Sequence, residues 1–140
     1  MGNAAEMIPA LTRGFALRVS PDGAQVEVFV APAQAAAVVA NLAVASPLAF
    51  TATNMTDYRS VQIKGTVAGW LAANEADAAW LERYRSLFQA ASERTGIPRH
   101  LSNTLLCRHL LRVTVVPRAL FRQTPGPGAG APMEDLSAWK

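Results

Sequence analysis

Lysine is nearly missing from this chain: Lys64 and Lys140 are its only two among thirteen basic residues, and the rest are arginine. Charge of either sign is sparse, at 16% of 140 residues, against about a quarter in ordinary globular chains. The arginines are scattered and form no basic run, so the net charge of +3 does not build the continuous field that tracks nucleic acid. Dispersed arginine suits local recognition of a phosphate or carboxylate, and the expected partner is a small anionic molecule. Cysteine is confined to Cys107, which excludes an internal disulfide and, with no disulfide framework, suggests a cytoplasmic address. No window approaches the roughly 20 apolar residues of a membrane span, and the first residues lack a basic segment followed by an apolar core. Neither a membrane anchor nor a secretory leader is expected.

Conventional catalytic signatures are also lacking. There is no G-x-S-x-G, no phosphate-binding P-loop and no H-E-x-x-H, so no catalytic residue is assigned. Cys107 and His109 are too few to hold a metal ion, and a structural role is favoured for both. His100 reads as an ordinary surface histidine.

What the chain has in quantity is apolar residues, at 51%, more than one small core hides, which points to burial in an oligomer. Its length suits one domain over residues 1–140. Residues 11–19 alternate, with Leu11, Arg13, Phe15, Leu17 and Val19 on one face. The turn signal Pro21-Asp22-Gly23 and a second alternating run with Val26, Val28 and Val30 complete a hairpin. A short Ala/Val-rich helix is expected over about 33–45, covered on most sides, with a second subunit as the natural cover.

Two further strands follow from "PLAFTATN" and "YRSVQIKGTVAGW". Gly65 inside the second marks a bulge, a barrel corner or a close backbone approach. Asn74 caps an amphipathic helix over about 75–95, with Glu75 and Asp77 in its first turn, ending near Gly96 and Pro98. A loop around "GIPRHLSN" leads to a last long strand within "CRHLLRVTVVPRALFR", and "QTPGPGAG" begins a C-terminal loop and tail over 123–140. The expected class is mainly β, a small antiparallel barrel over 8–122 with flanking helices.

Taken in order, "RGFALR", "VEVFV", "PLAF", "YRSVQIKG" and "QTPGPGAG" resemble the pyridoxamine 5'-phosphate oxidase-like family of FMN-binding split β-barrels. The likeness runs from about residue 9 to 131. It implies a six-stranded split antiparallel barrel, a homodimer, and FMN at the subunit interface supporting an oxidoreductase activity on an unassigned substrate. Carried over by resemblance, the phosphate-binding strand falls on Arg13 and Arg18, with arginine where the family has lysine. The family's Arg-Gln pair falls on Arg59 and Ser60, and no cation stands near Gln34 where the family has one. Lys64 joins the expected flavin contacts, and Gln123 and Thr124 fall near the ring's polar edge. The family's first strand would precede residue 8, where only seven residues stand. The competing expectation is a split-barrel dimer without turnover that holds another small ligand or none.

Taken residue by residue, an arginine on an apolar strand face such as Arg13 either snorkels, pairs with a carboxylate or reaches an anion. For Arg18 and Lys64, on polar faces, solvation is the simpler reading.

Overall fold

The computed structural model describes residues 8–106 and 108–134. Six strands form one antiparallel sheet: β1 Gly14–Val19, β2 Val26–Val30, β3 Pro47–Thr53, β4 Ser60–Ala72, β5 Leu111–Arg122 and β6 Pro132–Met133. Among the described residues three helices accompany it: α1 Ala36–Ala40, α2 Glu75–Arg94 and α3 Arg99–Thr104. The sheet order is β1-β2-β5-β4-β3, and β6 pairs with the second half of β5. No pairing joins β1 to β3, so the sheet stays open where a closed barrel was expected. It nevertheless curls, because Leu17 of β1 packs around the same buried residues as Phe50 of β3.

The interior of the curl is a valine-rich core. Val28, Val30, Val67, Val113 and Val115 are joined by Val26, Val61 and Ile63, with α1 contributing Val38 and Val39. β-Branched side chains suit such a surface because they are already restricted at χ1 and pack on the pleat. On the other face of β1 and β2, helix α2 lays Trp80, Leu81 and Tyr84 against Ala16, Phe29 and Ala31. Phe29 stacks on Trp80 at 5.7 Å between ring centroids.

Gly65 does what its position in the sequence suggests. A Cβ there would lie 2.2 Å from the Val116 carbonyl oxygen, and the β4–β5 register shifts at this point. The expected hairpin turn also forms, with Gly23 at a φ of 71° and the Asp22 carboxylate accepting from Ser20 Oγ and Ala24 N–H. Helix α2 begins on Asn74, whose side chain accepts from Ala76 N–H while Asp77 accepts from Asn74 N–H. It ends before Gly96, which takes a φ of 87° that other residues resist.

Other expectations need correction. The register shift between Gly14 and Ala16 makes Phe15 an extra residue in β1. Phe15 therefore packs with Ala16 on the α2 side and Leu17 on the core side, so the expected single stripe is broken. Helix α1 spans 36–40 rather than 33–45, because residues 32–34 form turns and Ala45, at a φ of 67°, donates to the Val67 carbonyl. None of its residues is fully buried, so the described residues cover it only on the side of Val38 and Val39. The expected loop after α2 contains α3. The expected C-terminal loop and tail over 123–140 contains a strand: Gly130 N–H reaches the Arg122 carbonyl, Arg122 N–H reaches the Ala131 carbonyl, and β6 returns along β5. Met1–Met7, Cys107 and residues 135–140 lie outside the described residues.

Candidate functional site

The strands place the expected site residues in two separate regions. The first lies between α2 and the β1–β2–β5 face. Arg18 and Glu27 are paired across β1 and β2, and Phe29 pairs with Arg112 across β2 and β5. Asp77, in the first turn of α2, is directed onto this array by its capping bond to Asn74 N–H at 3.0 Å. Its carboxylate accepts from Arg18 at 2.7 Å and from Arg112 at 2.8 and 3.0 Å. Glu27 accepts from Arg18 Nε and lies 3.6 Å from Arg112 Nε.

Two cations and two anions therefore neutralise one another beneath the helix. Asp77 is 1% exposed, while the arginine side chains keep 23% and 18%. Burial disfavours the Asp77 carboxylate, but the Asn74 N–H and both arginines outweigh it and hold its pKa below the usual carboxylate range. The Arg18 guanidinium also lies over Phe29 and Trp80, at 5.5 and 5.4 Å from the ring centroids. Arg18 is thus built into the joint between helix and sheet.

The second region is the outer face of β4, opposite the valine core. There Ser60, Gln62 and Lys64 point the same way, paired with Thr53, Thr51 and Ala49 of β3. β5 contributes Phe121 opposite Gln62 and Ala119 opposite Lys64. Lys64 is exposed, lies 5.0 Å from the Phe121 ring centroid, and forms no ion pair among the described residues. Gln123 Nε2 stands 3.5 Å from Gln62 Oε1, and the Gln123 N–H donates to the Ser60 carbonyl at 2.8 Å. Thr124 Oγ1 accepts the Ser60 N–H at 3.0 Å. Ser60 is buried, its hydroxyl bonded to Thr53 and to the Tyr58 carbonyl.

At the end of this strip a tight turn over 54–59 holds Tyr58 at a φ of 60°, the residue being 67% exposed. Such strain persists only where neighbouring bonds enforce it. Here the Asn54 N–H donates to the Arg59 carbonyl and the Asp57 carboxylate accepts from Arg59 N–H and Nε.

Five of the seven expected contacts, namely Arg59, Ser60, Lys64, Gln123 and Thr124, thus share the β4–β5 end of the sheet. Arg18 does not join them. Arg13 lies apart as well, its guanidinium 5.4 Å from the Phe15 ring and 5.9 Å from Phe88 of α2. Sequence reasoning missed Asp77 as the carboxylate that unites Arg18 with Arg112. Two signals bore on it: an acid at the third helical position after an Asn cap, and Glu27 set inside an apolar strand. It also missed Tyr58, whose left-handed backbone has no marker in an ordinary tyrosine.

Among the described residues no three His, Cys, Asp or Glu side chains are grouped to hold a metal ion, and no helix is long and apolar enough to cross a membrane. No family model matches the chain, and neither a curated protein nor a solved structure matches it.

Proposed function

We propose that the outer face of β4 and β5 binds a small planar anion, and that FMN is the molecule it is built to take. The observation that carries this reading is Lys64, a cation with no ion-pair partner among the described residues, lying over Phe121 in line with Gln62 and Gln123. Amide groups can both donate to and accept from the polar edge of a heteroaromatic ring. An aromatic side chain supplies a stacking surface, and an ammonium group supplies a counter-charge for an anionic tail. From Ser60 to Lys64 the strand runs roughly 13 Å at about 3.3 Å per residue, room for a fused ring system lying along it.

The fit is better for the ring than for the phosphate. Within one protomer, Arg13 and Arg18 stand away from Lys64, and two of the Arg18 nitrogens already serve Glu27 and Asp77. The phosphate is therefore left to Lys64 and to residues brought by a second subunit of the homodimer we propose in the split-barrel manner, in the cytoplasm. When bound, FMN supplies hydride or electron transfer. The chain's own part is to position the ring with Gln62, Gln123 and Phe121 and to hold the anion at Lys64.

The engagement of Arg18 favours a second reading, in which the same face holds another planar anion without turnover. Visible absorption and FMN titration separate the two. Saturable FMN binding, weakened about 10- to 100-fold in Lys64→Ala as expected for one charge-assisted hydrogen bond, supports the flavin reading. A folded protein that takes up no FMN at high micromolar concentration leaves only the second.

A further inference from the structure

We propose that the cleft bounded by β1, α2 and the segment leading into β5 is a second binding site, for a small aromatic carboxylate. Its volume is about 360 Å³, near the lower end for small-molecule sites, so it suits one or two fused rings better than a nucleotide. Phe15, Leu81 and Leu110 give it an apolar wall, and Tyr84, Arg85 and the exposed Arg108 also line it. Phe15 lines it only because the β1 bulge turns this residue onto the helix side.

The polar groups around this apolar wall favour a carboxylate. Tyr84 tilts against Trp80 at 5.3 Å between ring centroids, and its hydroxyl has no hydrogen-bond partner among the described residues. Burial pushes its pKa up, against the opposing field of Arg13, so the hydroxyl stays protonated and can donate. Arg108, which is exposed, forms no ion pair among the described residues. Among the described residues Arg85 pairs only with Glu82, 3.6 Å away and itself 71% exposed, a contact too open to water to satisfy the guanidinium. Two guanidinium forks against one carboxylate leave the cleft one positive charge in excess, and the forks match a carboxylate's two oxygens.

A second hollow, of about 480 Å³, carries no comparable case. It is lined by residues 20–25 of the β1–β2 turn, where Ser20, Asp22, Ala24 and Gln25 already bond one another. The Tyr84 cleft shares no residue with the Lys64 strip, so either site can fail without the other.

The test is calorimetric titration of the full chain with 2-naphthoate, and with neutral 2-naphthylmethanol for comparison. One saturable site is expected for the carboxylate. Removing one guanidinium fork by Arg108→Ala should weaken it about 10-fold, and Tyr84→Phe should weaken it about 3-fold through one lost hydroxyl bond. Leu81→Trp should abolish it by filling the cleft, while Lys64→Ala should leave it unchanged. Equal affinity for the neutral analogue, no saturation by the folded wild type up to about 10 mM, far weaker than a site of this kind gives, or indifference to Arg108→Ala each overturns the proposal. Arg108 is exposed, so its variant remains decisive even if Leu81→Trp does not fold.

Discussion

Replacing Asp77 by alanine tests the joint between α2 and the sheet. The carboxylate accepts one bond from the Asn74 N–H at 3.0 Å and bonds from two arginines at 2.7, 2.8 and 3.0 Å. Losing the capping bond costs about 1 kcal/mol. Removing the anion leaves two largely buried guanidinium groups sharing Glu27 alone, and breaking a buried ion pair costs about 3 to 5 kcal/mol. Both arginines keep roughly a fifth of their surface in water, which favours the lower figure. The sum is about 4 kcal/mol, a large share of the 5–15 kcal/mol that holds a typical domain together.

Urea unfolding followed by far-ultraviolet circular dichroism measures this directly. With a slope of about 2 kcal/mol per molar, the midpoint of Asp77→Ala should fall by about 2 M. Asp77→Asn keeps an oxygen for Asn74 N–H and should lose only the ion-pair part, about 3 kcal/mol. A second signature is pH. Because the folded pKa of Asp77 is depressed, its contribution is fully present above the unfolded value of about 3.9 and is lost as pH falls through the lower folded value. The wild type should therefore weaken more steeply than Asp77→Asn in that acidic range. A loss below about 1 kcal/mol in Asp77→Ala would refute the reasoning, since that is the scale of an exposed pair.

Gly65→Ala should destabilise the chain by at least about 2 kcal/mol, because the added Cβ meets the Val116 carbonyl and backbone cannot yield as a side chain does. A melting temperature within about 2 °C of wild type would contradict that close approach. Arg18→Met should lower stability and leave FMN affinity unchanged, with titration as the check; a parallel loss of FMN binding would return Arg18 to the phosphate. Sedimentation should find a dimer at working concentrations, and a monomer would remove the second subunit from the proposed site.

The local parts of this fold could be read from the chain because each rests on contacts within a few residues. Pro21-Asp22-Gly23 predicts a turn, Asn74 a helix start and Gly96 a helix end, and all three stand in the structure; of the bulge, corner or close approach that Gly65 suggests, the structure has a close approach at a register shift. The resemblance implies one group of seven residues; the pairing of β4 with β5 places Arg59, Ser60, Lys64, Gln123 and Thr124 at one end of the sheet, and Arg13 and Arg18 lie elsewhere.

What the sequence could not supply was the long-range pairing that decides the role of each charge. Arg18 alternates onto a polar face, which suggests solvent or an anion. Only the packing of α2 brings Asp77, 59 positions away, to within 2.7 Å of it. The Phe15 bulge likewise leaves no trace in a strictly alternating run, yet it turns an aromatic ring from the core to the helix side. The sequence by itself determined the turns, caps and alternation, because these depend on backbone preferences of neighbouring residues. The tertiary structure alone decided which arginines are spent on carboxylates and whether the sheet closes, since both depend on which distant strand or helix becomes a neighbour.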